Sequence, residues 1–115
     1  MKLINSVTDD PNQIMSVVLE DGSSLALTLT YIAGLKGWYY SFTWGSYSVY
    51  NRRIVKGINA IRALRGILPF GIFVDTTDGY EPIYIDDFSK GRATLYTLSQ
   101  VDVDTAEQEL SNAKV

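Results

Sequence analysis

Cysteine and histidine are both absent from the 115 residues of this chain. Without cysteine there is no disulfide bond, no thiolate zinc site and no thiol nucleophile, so packing has to stabilise the fold. Without histidine, the Ser-His-Asp and Cys-His arrangements of many hydrolases are excluded, and proton transfer would fall to carboxylates, lysine or tyrosine. We therefore predict a protein that is not an enzyme and that binds no cofactor or metal.

Long apolar runs are absent as well. No stretch approaches the roughly 18 uninterrupted apolar residues of a transmembrane helix, and residues 1–7 carry one lysine and no apolar run of the secretory type. We expect a soluble, unprocessed chain with no membrane partner. The length and the 46% apolar composition predict one domain around one hydrophobic core.

Carboxylates are missing from the middle of the chain, although the formal net charge of the protein is -3. Residues 22–74 contain no aspartate or glutamate, and their basic side chains are Lys36, Arg52, Arg53, Lys56, Arg62 and Arg65. Residues 1–21 and 75–115 are both acidic. This asymmetry predicts either charge pairing within the molecule or complementary faces offered to neighbouring proteins.

Alternation of large apolar and smaller residues is the clearest structural signal. In SLALTLTYI (24–32) a large side chain recurs at every second position, and QIMSVVLE (13–20) has the same period. This period is typical of strands with one buried face. The pair Asp21-Gly22 between them favours a tight turn, so we predict a hairpin.

The stretch GWYYSFTWG (37–45) places five aromatic rings within seven positions. Trp38, Tyr40, Phe42 and Trp44 share one face of a predicted strand, and a face so rich in rings belongs in the core. Tyr39 lies on the opposite face among hydroxyl-bearing residues. We predict that this ring lies at a solvated surface or a polar interface.

Further strands are predicted at 47–52, at FGIFVD (70–75), at YEPIYID (80–86) and at ATLYTLSQV (93–101). Pro82 indicates an edge position for the strand at 80–86. Between them, 58–66 has mixed signals and is predicted to be a short helical or irregular segment.

Several short strands at hairpin spacing indicate an all-β fold. We predict a small single-domain antiparallel β-sandwich or barrel of about seven strands. The core of this domain is expected at about residues 10–98. Residues 1–9 and 103–115 are expected to be extended tails or to be ordered by partners.

Five carboxylates lie within thirteen positions: Asp75, Asp78, Glu81, Asp86 and Asp87. Oxygen ligands of this kind suit calcium, but the spacing does not match the helix-loop-helix calcium loop. DTTDG is also an ordinary turn composition. We therefore interpret the cluster as turns and strand ends, and a carboxylate-based hydrolase is the weakest of the functional alternatives.

Two tyrosines of the fourth predicted strand, Tyr47 and Tyr50, are followed by five basic residues within 52–65. This composition is found on nucleic-acid surfaces, and a nucleic-acid-binding accessory protein using 52–65 is the alternative function. However, the sequence pI is ≈ 4.7 and no nucleic-acid motif is present, so nucleic acid is not an expected partner. We predict a protein interface instead, with Tyr39, Tyr47, Tyr50, Arg52, Arg53, Lys56, Arg62 and Arg65.

Several short motifs follow one another in a recognisable order along residues 10–98. They are Pro11-x-Gln13-x-Met15-x-Val17-x-Leu19, Asp21-Gly22, the strand Leu25 to Tyr31, Gly37-Trp38, Ile54-Val55-Lys56-Gly57, the strand Gly71 to Val74, Asp87-Phe88 and Arg92 to Tyr96. In this order they resemble the small baseplate plug proteins of contractile-tailed phages, of the cyanophage type.

The resemblance implies a non-enzymatic virion component of the tail baseplate. It implies a position at the central hub, plugging or bridging the space between tail tube and spike, with hub, tube and spike proteins as partners. It also implies assembly as a homotrimer, in a trimeric ring. Such a protein is made in the host cytoplasm and ends in the virion.

Overall fold

The computed structural model describes residues 1–4 and 7–113, which form seven strands and one α-helix. The strands are β1 (Lys2–Ile4), β2 (Asn12–Val18), β3 (Ser24–Ile32), β4 (Gly37–Trp44), β5 (Tyr47–Arg53), β6 (Gly71–Thr76) and β7 (Ala93–Leu98). The helix α1 spans Gln100–Ala113. The prediction of a mostly β single domain is confirmed.

A four-stranded antiparallel sheet contains the strands that were clearest in the sequence, in the order β2-β3-β4-β5. Met15 of β2 lies opposite Leu27 of β3, as the predicted hairpin requires. In its turn the Asp21 carboxylate accepts the Ser23 N–H at 2.9 Å. Gly22 has a φ of 90°, in the left-handed region that glycine adopts without strain.

The aromatic stripe of β4 divides between core and surface as the alternation predicts. Trp38, Tyr40 and Phe42 are buried, and Trp44 is half-buried against the same core. Tyr39 lies on the opposite face, in register with Thr30 of β3. The period of two therefore decides which rings are available at the surface.

A three-stranded antiparallel sheet, in the order β1-β7-β6, faces the first sheet across a shared core. Its buried contributions are Ile4, Ile72, Val74, Ala93 and Leu95. Between the two sheets the remaining cavity has a volume of ≈ 10 Å³. That space is about the size of one water probe, so the core is packed and is not a ligand site.

The chain crosses between the sheets through residues 54–70. Gly57 forms an isolated antiparallel bridge with Val74 of β6, and a short 3₁₀ turn spans Arg62–Leu64. Ile61 and Leu68 are buried on either side of this turn. The expectation of a short helical or irregular segment near 58–66 is confirmed.

The strand predicted at 80–86 is wrong, because this segment forms loops and turns. The Tyr84 N–H donates to the Asp87 carboxylate at 2.8 Å, and the Glu81 carbonyl accepts from Arg92 at 2.8 Å. Pro82 has no backbone N–H that could donate a hydrogen bond to a neighbouring strand. The Asp87 and Arg92 side chains therefore hydrogen-bond to backbone groups that would otherwise be paired with a neighbouring strand.

Within the ranges 1–9 and 103–115, which were expected to be extended or ordered by partners, the structure has the strand Lys2–Ile4 and most of α1. Residues 5, 6, 114 and 115 lie outside the described residues, and ordering by partners stays a prediction. Lys2–Ile4 pairs with β7, which supplies a strand that the sequence pattern missed. The last predicted strand, 93–101, stops at Leu98, and α1 follows. Among the described residues, no helix has both the length and the apolar character needed to cross a membrane.

A capping box explains why α1 begins where it does. The Asp102 N–H donates to the Ser99 hydroxyl at 3.1 Å, and the Ser99 N–H donates to the Asp102 carboxylate at 3.2 Å. This reciprocal pair satisfies two backbone donors that the first turn leaves open. Val103 is buried and anchors the helix to the domain.

We expect Ser99→Ala to lower the free energy of unfolding by about 1 kcal/mol, because it removes the acceptor of the capping box. Urea denaturation followed by circular dichroism measures this change. Thr105→Ala is the control, since its hydroxyl donates to the Val101 carbonyl within the exposed part of α1. The control should stay within about 0.5 kcal/mol of the wild type; equal losses in both variants would refute the cap.

Candidate protein interface

The open edge of β5 carries the first part of the basic stretch. The pairing of β4 with β5 shifts register between Tyr40 and Phe42, and Asn51 adopts a φ of 52°. The Asn51 N–H donates to the Ser41 hydroxyl at 2.9 Å, which holds this bulge. Beside it, Tyr50 is 70% exposed and Arg52 is exposed as well. A bulge of this kind re-aims side chains at a sheet edge.

Arg53 is held by its own chain. Its Nη1 donates to the Leu35 carbonyl and to the Tyr39 hydroxyl, each at 3.2 Å, and its Nη2 donates to the Lys36 carbonyl at 2.9 Å. The guanidinium carbon lies 5.7 Å from the centroid of the Tyr39 ring, in cation–π range. These contacts tie the turn before β4 to the end of β5.

Arg62 and Arg65 both pair with Glu107 of α1. Arg62 forms a two-point contact, with Nε to Oε1 at 2.8 Å and Nη2 to Oε2 at 2.9 Å. Arg65 Nε lies 3.1 Å from the same Oε1. The pairing raises the pKa of Arg62 through the hydrogen bond to Glu107. Part of the basic stretch is therefore neutralised within the molecule.

Tyr47 lies opposite Trp44 at the start of β5 and packs, half-buried, against the core. Lys56 follows β5, and its backbone N–H donates to the Glu81 carboxylate at 2.8 Å while its side chain is exposed. Of the eight residues predicted for an interface, six are exposed and two, Tyr39 and Tyr47, are half-buried. Among the exposed six, Arg53, Arg62 and Arg65 have guanidinium groups held by the contacts described above.

The acidic cluster is organised by Arg92. Its Nε and Nη2 each lie 2.7 Å from an oxygen of Asp87, and its Nη1 lies 2.7 Å from Asp78. Arg92 thus pairs with two of the five carboxylates, Asp78 and Asp87. Lys90 pairs with a third, Asp86. In the part of the chain that the structure describes, no group of three or more acidic residues is arranged to hold a metal ion.

The sequence that forms these two sheets matches a known protein family. A family model described as cyanophage baseplate Pam3 plug gp18 matches residues 1–100. The chain belongs to this family. The match spans all seven strands and ends at the first residue of α1. No curated protein matches the chain.

Family membership makes the protein a structural component of the phage tail baseplate. It also means that other baseplate proteins are its neighbours and that it belongs to the virion tail. The resemblance stated from the motifs is confirmed at this level. The interface residues themselves stay a prediction.

The ion pair between Asp87 and Arg92 is a structural contact that the sequence patterns did not predict. Lys90-Gly91-Arg92 has the composition of an ordinary turn, and the role of Arg92 depends on the buried carboxylate five residues earlier. Burial would raise the pKa of Asp87. Hydrogen bonds from Arg92 and from the Tyr84 N–H outweigh burial and hold this pKa below its ordinary value of 3.8.

A second prediction concerns Gly37 and Arg53. A Cβ at Gly37 would lie 2.7 Å from Cζ of Arg53, so Gly37→Ala should displace the guanidinium and cost about 1 kcal/mol of unfolding free energy. In an Arg53→Ala background the same change should cost close to nothing. A double-mutant cycle measured by chemical denaturation gives the coupling; additive effects would contradict the contact.

A third prediction follows from the lowered pKa of Asp87. The ion pair stabilises the fold above about pH 4, and this contribution is lost as the pH falls through the lowered pKa. Asp87→Asn should reduce the free energy of unfolding by about 2 kcal/mol at neutral pH, and its difference from the wild type should shrink in acid. Thermal melts across pH measure both, and Asp75→Asn, at an exposed position of β6, should keep the acid dependence of the wild type.

Proposed function

We propose that the protein plugs or bridges the central hub of the baseplate, between the tail tube and the spike, as three copies in a closed ring. The match to a baseplate plug family over residues 1–100 carries this proposal. The hub, tube and spike proteins are the proposed partners. Synthesis takes place in the host cytoplasm, and the virion is the final location.

The packing of the domain supports a structural role, in which the protein catalyses no reaction. Phe42 contacts Phe70 at 5.8 Å between ring centroids, and Trp38 contacts Phe88 at the same distance. These contacts fix the crossing segment 54–70 and the loop 77–92, which joins β6 to β7, to the four-stranded sheet. A rigid unit suits a component whose neighbours bind it in fixed orientations, because little ordering entropy is lost on assembly.

The proposed contact surface lies at the end of β5. Tyr50, Arg52 and Lys56 project from the surface here and are proposed to touch neighbouring subunits directly. Tyrosine and arginine are the residues that most often dominate binding energy at protein interfaces. Tyr39, Tyr47, Arg53, Arg62 and Arg65 are proposed to support this surface, since each also makes contacts within the domain.

Nucleic-acid binding through 52–65 is the less favoured function. Arg62 and Arg65 pair with Glu107, and Arg53 binds backbone carbonyls. Phosphate contacts would have to replace these interactions. A gel shift at two salt concentrations tests the alternative, because phosphate binding weakens steeply with salt.

A fourth prediction tests the β5 surface in assembled particles. In phage that carry the substituted gene, Arg52→Glu should lower incorporation of the protein into purified baseplates by about tenfold or more, because a buried interface charge is reversed. Mass spectrometry of the particles measures the incorporation, and a thermal melt of the isolated variant shows that it folds.

Lys90→Glu is the matched control, since it reverses one exposed charge in a turn outside β5 and outside the predicted interface residues. It should be incorporated as well as the wild type. Normal incorporation of Arg52→Glu would remove the β5 surface from the proposal. A particle without this protein in the hub would contradict the proposed position itself.

A further inference from the structure

Three segments of the chain meet at the end of the domain where Trp38 is buried. The Trp38 carbonyl accepts the Ile54 N–H at 2.8 Å, and its ring Nε1 donates to the Tyr84 carbonyl at 3.2 Å. The Tyr31 hydroxyl donates to the Ile83 carbonyl at 2.7 Å. These bonds hold the start of β4, the residues after β5 and the loop between β6 and β7 next to one another.

Two further contacts fasten the same segments. Arg53 binds the carbonyl groups of Leu35 and Lys36, in the turn between β3 and β4. The Lys56 N–H donates to the Glu81 carboxylate at 2.8 Å. Together the three segments form one end of the domain, here called the Trp38 end. It consists of residues 32–36, 54–56 and 80–85.

Exposed large apolar side chains are concentrated at the Trp38 end. Tyr80 is 74% exposed, Tyr84 is 60% exposed and Leu35 is 56% exposed. Six of the fourteen exposed large apolar side chains of the described residues belong to these short segments, the other three being Ile32, Val55 and Ile85. Exposed apolar surface concentrated in one region marks a site of protein contact, and tyrosine is among the residues that contribute most binding energy there.

Basic side chains without acidic partners accompany these apolar residues. Lys36 and Lys56 are exposed within the Trp38 end, and Arg52 and Arg53 are exposed immediately before 54–56. In the part of the chain that the structure describes, none of the four forms an ion pair. Their charges are therefore available to a partner.

Most carboxylates of the adjoining loop already have basic partners. Arg92 binds Asp78 and Asp87, and Lys90 binds Asp86. The exposed charge on the β5 side of the Trp38 end is consequently positive. A partner that supplies carboxylates on this side would gain favourable electrostatic contacts.

A second copy of this chain lacks the matching surface. Two copies that met through the same end would bring Lys36 and Lys56 of each close to those of the other, and like charges oppose such a contact. The acidic helix α1 exposes Asp104 and Glu109, but among its described residues Val101 is the single large apolar side chain that is exposed. A different protein therefore fits the Trp38 end better.

We propose that the Trp38 end docks a segment of another baseplate protein that combines apolar side chains with aspartate or glutamate. The apolar side chains pack against Leu35, Tyr80 and Tyr84, and the carboxylates face Lys36 and Lys56. That the partner is a baseplate protein rests on the proposed function, whereas the exposed apolar and basic surface is a property of the fold.

The double variant Leu35→Ser with Tyr80→Ser tests the apolar contact. In purified baseplates its incorporation should fall at least about tenfold, because two side chains at the centre of the contact are lost. Ile14→Ser with Ile67→Ser is the matched control, since it removes two exposed apolar side chains outside the Trp38 end and should be incorporated normally. Normal incorporation of the folded Leu35 and Tyr80 variant would overturn the proposal.

Lys36→Glu tests the acidic character of the partner and does not depend on the folding of the double variant. Its incorporation should fall by about tenfold, because the reversed charge repels the facing carboxylates, while Lys90→Glu stays normal. Unchanged incorporation would overturn the acidic partner. Lys36 lies outside the β5 surface, so Arg52→Glu reports separately on the contacts of the proposed function.

Photo-cross-linking in assembled particles identifies what lies against this end. With p-benzoylphenylalanine in place of Tyr80, irradiation should join the protein to a different baseplate protein, and mass spectrometry of the joined peptide should show apolar residues together with aspartate or glutamate. A cross-link to a second copy of this chain, or no cross-link, would overturn the proposed partner. Absence of the protein from the hub would instead contradict the proposed function.

Discussion

Trp38 has no exposed surface, and most of the fold is arranged around it and the rings that follow it on β4. Its ring lies 5.4 Å from Tyr31 and 5.8 Å from Phe88, and its Nε1 donates to the Tyr84 carbonyl at 3.2 Å. One buried side chain therefore joins the four-stranded sheet to the loop at 77–92. The ion pair of Asp87 with Arg92 then holds that loop against it. Large aromatic area with a satisfied polar atom is a strong anchor for irregular backbone.

Basic and acidic residues that lie in different parts of the sequence are partly paired in the folded domain. Glu107 takes up Arg62 and Arg65, and carbonyl groups of the turn before β4 take up Arg53. The surface that is left for neighbours is consequently smaller than the basic stretch. It includes the exposed end of β5, at one edge of the four-stranded sheet.

Period-two alternation predicted β2 to β7 well where the strands pair with sequence neighbours, as Met15 and Leu27 do. It failed at 80–86, where Ile83 and Ile85 have the spacing of a strand. There the Asp87 carboxylate and Arg92 hydrogen-bond to the backbone groups that a strand would have paired. It also missed Lys2–Ile4, which pairs with residues more than 90 positions away. The Ser99-x-x-Asp102 spacing of the capping box was overlooked, since 93–101 was predicted as one strand.

Local spacing and composition determined by themselves the hairpin, the buried face of β4 and the all-β class, because each depends on residues close in the chain. The baseplate plug family was indicated separately, by the resemblance of the motifs in order along residues 10–98. The tertiary structure decided which basic side chains are held by other groups of the protein. Arg52 and Arg53 are adjacent in sequence and both exposed, yet the Arg53 guanidinium is bound to carbonyl groups and lies over Gly37. The bulge and the contacts from the turn before β4 make that difference, and both depend on how β4 and β5 pair, which the spacing of the residues does not reveal.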